Sequence, residues 1–423
     1  MSHLRTVFHA AACTCLCLAA RAQAASLPDL PTSAPPALRD RVHALWARSP
    51  DVQAADAERR AAAARIRAAD QPVYNPTLSL EGENADVDRR TASASLALDI
   101  SGKRRARVEE SNAALTASDA AYALRRRDIA VRWLKAWASV GLLHRQDALG
   151  RERVAAMQRF DDLAERRLQV GDLSAPERDL AALALAEARI AQASLEGQQA
   201  AAMATLAAPG EGMESGLPAL PEGLPPPPEG IAPREAEQRP ELAQAYAEQR
   251  RRDAAVDVAR RARVPDPVVS LTGGRVRSGA RSDPVIGLSL AIALPVRNSG
   301  RAEIAAAQAE ADAALAQRQA VGWQTASALR QAADTYRTLR RTADTLRRQR
   351  AEPTGPRTLL LERLWQAGEL DTSDYLVQLN QHLDTALATL ALENQTWQAW
   401  FDYLVATGRL GDWIDGRAQD ANP

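Results

Sequence analysis

The chain has 423 residues, and its 53 Lys and Arg balance 53 Asp and Glu, so it is formally neutral. That balance offers no basic patch of the kind a nucleic-acid partner requires. The three cysteines, Cys13, Cys15 and Cys17, all fall near the start, which leaves the rest of the chain without disulfides, thiolate nucleophiles or cysteine metal sites.

Residues 1–24 read as a signal peptide. Arg5 supplies the positive start, Ala10 to Ala20 is a short apolar stretch, and Ala22-Gln23-Ala24 is a small-residue cleavage site. The stretch is far shorter than the roughly 20 residues a spanning helix needs. Cys17 follows Leu16 and has Thr14 three positions before it, so a lipid-anchor pattern is not supported. Loss of Arg5 and Arg21 with the signal leaves 51 basic against 53 acidic residues. The longest later apolar run, Leu288 to Val296, covers nine residues. If the mature chain enters a membrane, it must do so with strands.

Residues 25–207 read as helix, strand, strand, very long helix, turn and helix. A helix is expected from Ala37 to Asp70, with Pro50 near a helix start, and the prolines of Gln71-Pro72-Val73-Tyr74-Asn75-Pro76 stop it. Leu78 and Leu80 then alternate with Thr77, Ser79 and Glu81. After a polar stretch from Glu83 to Arg90, Leu96, Leu98 and Ile100 alternate with smaller or polar residues. Such period-two patterning is the weak signature of a membrane strand, and equally of an exposed hairpin. From Lys103 to about Leu168 there is no proline, and the only glycines are Gly141 and Gly150. At 1.5 Å per residue this is a helix approaching 100 Å. Ile129, Trp133, Ala136, Val140 and Leu143 mark its heptad seam. Beyond a turn at Gly171, Leu183, Ala186, Ile190 and Ala193 form a weaker, alanine-rich seam. These stripes are core packing and bind no cofactor.

Residues 208–234 are rich in Pro and Gly, with Pro225 to Pro228 consecutive, and read as a semi-rigid extended connector. Residues 235–410 repeat the first pattern. Val269 and Leu271 open the third strand, Gly273 to Asp283 reads as a loop, and Leu288, Leu290, Ile292 and Leu294 share a face of the fourth. The last seam runs through Leu376, Leu379, Leu383, Ala386 and Leu390, then Trp397, Phe401 and Leu404. Pro353-Thr-Gly-Pro356 should interrupt the second long helix, and residues 411–423 read as a tail. None of the four strands contains Trp, Tyr or Phe, so an aromatic girdle is missing; Tyr74 only borders the first.

The halves echo one another in order. Pro50 and Pro240 lie 190 residues apart, Gly82 and Gly273 191, Gly102 and Gly300 198, and Gly171 and Gly368 197. A repeat this long is a duplicated half-molecule, and the two halves should interleave into one domain. The class is therefore mainly α with a small β part.

Four segments carry a resemblance to a known family: the paired turns Arg167-Leu-Gln-Val-Gly171 and Leu364-Trp-Gln-Ala-Gly368, which are family-wide, and Asp99-Ile-Ser-Gly-Lys-Arg-Arg-Ala-Arg107 and Gly287-Leu-Ser-Leu-Ala-Ile-Ala-Leu-Pro-Val-Arg-Asn-Ser-Gly300, which point to one branch of it. The chain resembles the TolC-like outer-membrane efflux factors, and within them the CzcC-type branch of heavy-metal efflux systems. The resemblance implies a homotrimer in which each protomer gives four strands to a twelve-stranded outer-membrane β-barrel and helices to a coiled-coil α-barrel in the periplasm. It also implies a passive exit duct for heavy-metal cations, working with an RND-type inner-membrane pump and a periplasmic adaptor (membrane fusion protein). Tip and adaptor contacts would be Val170, Gly171, Asp172, Ala367, Gly368 and Glu369, with Asp172 standing where the family often has Leu. Candidate gate acids are Glu177, Asp371 and Asp374; Val377 stands where some members carry a further Asp. The ordinary alternatives are helix termini for the glycines and dipole partners for the acids.

Independently of the resemblance, four strands cannot close a barrel alone, so several chains would have to share one. His43, His144 and His382 lie far apart without metal-ligand spacing, and no phosphate loop, nucleophile elbow or His-Glu-x-x-His motif is present. No cofactor, resident metal or enzyme activity is expected. A duct for drugs or other organic compounds is the nearest alternative. A soluble coiled-coil adaptor is the more distant one, and the two hairpins and four strands in duplicated order argue against it.

Overall fold

The structure, a computed structural model, describes residues 33–84, 86–208, 216–228, 239–349 and 354–416. The expected signal peptide and much of the connector lie outside the described residues. The first half comprises α1 (Pro36–Arg48), α2 (Pro50–Ala69), β1 (Thr77–Glu83), β2 (Val87–Ala97), α3 (Lys103–Gln169) and α4 (Ala175–Ala207). The second comprises α5 (Pro240–Ala262), β3 (Val268–Ser278), β4 (Arg281–Ala291), α6 (Arg301–Gln349), α7 (Thr354–Gln366), α8 (Thr372–Thr407) and α9 (Leu410–Asp415). The repeated order is thus visible in three dimensions.

The helix expected over 37–70 is two helices. Pro50 has no N–H to give to the preceding turn, so Ser49 leaves the helical region at φ −62°, ψ 120° and Pro50 starts a new helix. α3 runs unbroken for 67 residues, about 100 Å at the usual helical rise. α6 ends at Gln349 and α7 restarts at Thr354, with Pro356 in its first turn, where a missing N–H costs nothing.

The four strands form one sheet in the order β1-β2-β3-β4, each neighbour antiparallel. The central β2–β3 pair joins the two halves through eleven paired residues, from Val87 opposite Ser278 to Ala97 opposite Val268. Strand boundaries differ from the sequence expectation. Val87 to Arg90 belong to β2, and the presumed loop from Gly273 to Asp283 is strand on both sides of a turn at Gly279 and Ala280. These segments read as loops because they carry Gly and Arg, yet the backbone ladder continues through them. Conversely, Leu98, Ile100, Ile292 and Leu294 lie just past the strand ends.

The helices share one apolar core drawn from both halves, including Leu38, Trp133, Phe160, Tyr336, Trp365 and Phe401. Trp137 of α3 meets Trp397 of α8 edge-on at 6.2 Å between ring centroids. The seam predicted on α3 packs inward, as does the Leu376-to-Leu404 seam on α8. The α4 seam is a correction: Leu183, Ala186, Ile190 and Ala193 are exposed, and the packed stripe is Ala181, Ala184, Leu185 and Ala188. An alanine-rich helix presents two nearly equal stripes, and the smaller side chains let α4 lie closer to α3.

The described part of the connector, 216–228, is held as an extended strap. Trp137 donates to the Pro218 carbonyl at 2.9 Å, Arg145 to Leu220 at 3.0 Å and Arg340 to Pro225 at 2.6 Å. Tyr336 donates to the Pro226 carbonyl as well. The expected tail opens instead with α9, whose Trp413 packs edge-on against Trp400 at 4.9 Å.

Candidate functional site

Three parts of the molecule bear on function: the two faces of the sheet, the joint between sheet and helices, and the pair of hairpin tips.

Register assigns every strand residue to a face, because directly paired residues point the same way and neighbours along a strand point oppositely. One face carries Leu78 and Leu80 of β1, Ala92, Ala94 and Leu96 of β2, Val269 and Leu271 of β3, and Ile286, Leu288 and Leu290 of β4. It is open to its surroundings, with Leu80 79% and Ile286 85% exposed. The other face carries Thr77, Ser79, Thr91, Ser93, Ser95, Ser270, Thr272 and Ser289. Along β2 and β3 this polar face is the half-buried one. Ser79 and Ser93 are bonded across it at 2.6 Å. A polar face backed by an apolar one is the residue pattern of a water-filled barrel wall.

At the helical end of the sheet, the Asp99 carboxylate accepts the backbone N–H groups of Lys103 and Arg104, both at 2.9 Å, and so caps α3. Lys103 Nζ reaches across to Asp266 Oδ2 at 2.7 Å, and Tyr74 donates its hydroxyl to the same oxygen at 2.6 Å. Burial alone would lower the Lys103 pKa, but the hydrogen bond and charge of Asp266 outweigh it and the ammonium is held above its usual value. The hydrogen bond to Asp266, followed by burial, raises the Tyr74 phenol. Arg261 Nη1 donates to the Ser101 carbonyl at 2.6 Å, closing the joint. The Gly-Lys-Arg stretch therefore bolts the first half's strand-to-helix turn onto the second half's helix-to-strand turn, between α5 and β3.

At the far end of the helices, both hairpins turn in the same way. Gly171 N–H bonds the Leu168 carbonyl and Asp172 N–H the Arg167 carbonyl; Gly368 and Glu369 do the same with Trp365 and Leu364. These are Schellman ends, and the glycines sit at φ +82° and +75°, where a side chain would be strained. Val170, Asp172, Ala367 and Glu369 are exposed at the turns. Arg167 bridges the two tips, donating to the Gln366 carbonyl at 3.3 Å and lying 4.8 Å from the Trp365 ring centroid. Trp365 is buried against Phe160 and Tyr375.

The acids sit where α4 and α8 begin. Glu177 closes a capping box with Ser174, accepting its N–H at 2.9 Å and its hydroxyl at 2.6 Å. Those two bonds hold the Glu177 carboxyl below the usual range, while the charge of Asp371 pushes it the other way. Asp371 is the N-cap of α8 and accepts the Asp374 N–H at 2.7 Å. Asp374 is exposed. Glu177 and Asp371 thus come within electrostatic reach of one another, although they lie in opposite halves. Sequence reasoning missed Arg167 and Trp365 as the link between tips; their only signal is their place in the duplicated turn motifs.

Residues 42–209 match the family described as Outer membrane efflux protein. The second half repeats the element order of that matched half. That match ties residues 42–209, within the first half of the chain, to an outer-membrane efflux family. The chain is similar to the cobalt-zinc-cadmium resistance protein CzcC of Cupriavidus metallidurans, 26% identical over 254 residues, which cover 56% of this chain and 58% of that protein. The match therefore spans little more than half the length of that relative. In fold it is similar to a membrane protein from Pseudomonas aeruginosa, at TM-score 0.73 and 20% identity over 91% of this chain and 98% of that one. It is also similar to the Campylobacter jejuni CmeC outer membrane channel, at TM-score 0.73 and 16% identity over 91% and 89%.

Proposed function

We propose that three copies of this chain enclose an exit duct that passively conducts heavy-metal cations out of the cell. An RND-type inner-membrane pump and a periplasmic adaptor supply cargo and force, because the chain carries no motif for an energy source of its own. The two-faced sheet is the observation that carries this reading. Its outer strands, β1 and β4, have unpaired edges, and an open edge is not tolerated in lipid. Cyclic repetition closes the wall, with three four-stranded sheets giving twelve strands. The Ser and Thr face then lines water and the Leu and Ile face meets acyl chains.

The similarity to CzcC, whose name refers to cobalt, zinc and cadmium, supports metal cations as cargo. In this reading Val170, Gly171, Asp172, Ala367, Gly368 and Glu369 form the surface that meets the adaptor, and Glu177, Asp371 and Asp374 gate the tip. Planar-bilayer recordings on purified protein, together with its mass in mild detergent, test the duct; a silent monomer overturns it. A deletion strain tests the cargo. Sensitivity to cobalt, zinc or cadmium supports the metal reading, whereas sensitivity to dyes and detergents alone replaces it with organic compounds.

A further inference from the structure

The sheet carries a second feature, at the end away from the helices. On the apolar face, the row beyond Ala92, Gly273 and Ile286 contains Arg90 directly opposite Arg275, and the row beyond that contains Arg277 opposite Asp88. Each row is about 7 Å further along the strands. The face therefore changes within one row from exposed Leu and Ile to guanidinium groups. Two like charges directly opposite on a sheet repel unless an anion lies between them. Asp88 supplies one carboxylate, 3.5 Å from Arg90 Nε. Among the described residues, neither Arg275 nor Arg277 has an ion-pair partner, and both are exposed. Three guanidiniums thus face one carboxylate at the border of the apolar rows.

We infer that Arg90, Arg275 and Arg277 form a collar that binds the phosphate groups of anionic lipid in the outer leaflet. The inference rests on the reading of the apolar face as lipid-facing. Charge complementarity and position select the occupant: acyl chains against Ile286 and Leu288 bring a headgroup to the next row, and guanidinium matches phosphate oxygens in a bidentate way. A protein partner would be expected to cover the apolar rows as well, which the acyl chains already do. The polar face offers a control, since Arg89 points there, opposite Val276.

The test uses the full chain in two kinds of vesicle, phosphatidylcholine alone and phosphatidylcholine containing lipid A, with inorganic phosphate added to detergent-solubilised protein as a third arm. After detergent washing, wild-type protein should retain lipid A, and the R90Q/R275Q/R277Q variant should retain at least about tenfold less, since each arginine near an anionic surface contributes separately. The variant should still insert into phosphatidylcholine, and Arg89→Gln should retain lipid A as wild type does. Equal retention by wild type and the triple variant overturns the collar, as does an equal loss in Arg89→Gln. Displacement of lipid A by inorganic phosphate at millimolar concentration also overturns it, by marking a free-anion site. If wild-type protein enters neither vesicle, the lipid-facing reading itself fails; if it enters both but retains no lipid A, only the collar fails.

Discussion

Lys103, in the first half, and Asp266, in the second, form a nearly dry ion pair: Nζ and Oδ2 are 2.7 Å apart, with side chains 15% and 3% exposed. Tyr74 shares the same carboxylate oxygen. The contact ties the start of the longest helix to the approach of β3, so the two halves meet in a charge as well as in the sheet. Removing one partner leaves the other charged and buried. Lys103→Met and Asp266→Leu should therefore each cost about 3 kcal/mol in urea unfolding, while the double variant recovers most of the loss. Additive losses in the double variant would show that the pair does not couple. The sign with pH follows from the raised Lys103 pKa: its contribution is present below the ordinary lysine range and disappears as pH rises through the higher folded value.

Pairing of β2 with β3 leaves no room at Gly274. A Cβ built there would lie 2.2 Å from the Arg90 carbonyl oxygen and 2.8 Å from Thr91 Cα, both backbone-fixed. Gly274→Val should separate the central strands and abolish insertion, a loss above about 3 kcal/mol if read as overpacking. Gly287→Ala is the matched control, because its nearest neighbour, Thr272 Cβ, is 4.0 Å away. Far-UV circular dichroism and vesicle insertion distinguish the two, and an inserting Gly274→Val protein would contradict so close an approach of these strands.

Burial raises the Tyr375 phenol to about 12, with the charge of Glu362 adding to the effect. A phenol whose folded pKa lies above its unfolded value of 10.0 stabilises the protein fully below pH 10.0, and that stability drains as pH climbs towards about 12. Tyr375 stacks on Trp365 at 5.1 Å with 15° between ring planes. The second tip should therefore loosen in that alkaline window, seen as a change in Trp365 fluorescence. Tyr375→Phe should remove this step, and its persistence in that variant would assign it to another group.

Much of this architecture is written in local patterns, and the exceptions have physical causes. α3 is legible because 67 residues without proline carry an inward stripe of large side chains such as Ile129 and Trp133. The tips are legible because a positive φ calls for glycine, and Gly171 and Gly368 recur at matched places. The rim of the sheet is not, since Arg89, Arg90, Gly273 and Gly274 look like a loop until the ladder is seen. Nor is the α4 seam, where Ala181 and Ala188 compete with Leu183 and Ile190 and hydrophobicity favours the wrong pair. The Arg167 bridge to Gln366 spans 199 positions, and no local rule connects residues that far apart.

The acids at the tip combine two roles that substitution can separate. Glu177 belongs to the capping box of α4 and Asp371 is the N-cap of α8, so truncating either to alanine would weaken a helix start and confuse charge with folding. Glu177→Gln keeps the capping box, Asp371→Ser keeps an N-cap acceptor, and Asp374→Asn alters only an exposed side chain. The triple variant E177Q/D371S/D374N should thus melt with the wild-type midpoint. A converging set of carboxylates raises the local concentration of cations, and neutralising it removes that attraction. Block of single-channel current by cobalt or zinc should need about tenfold more metal in the variant, with the difference shrinking at high salt. Wild-type block in a variant of unchanged stability would restrict these three residues to capping and move the gate elsewhere along the helices.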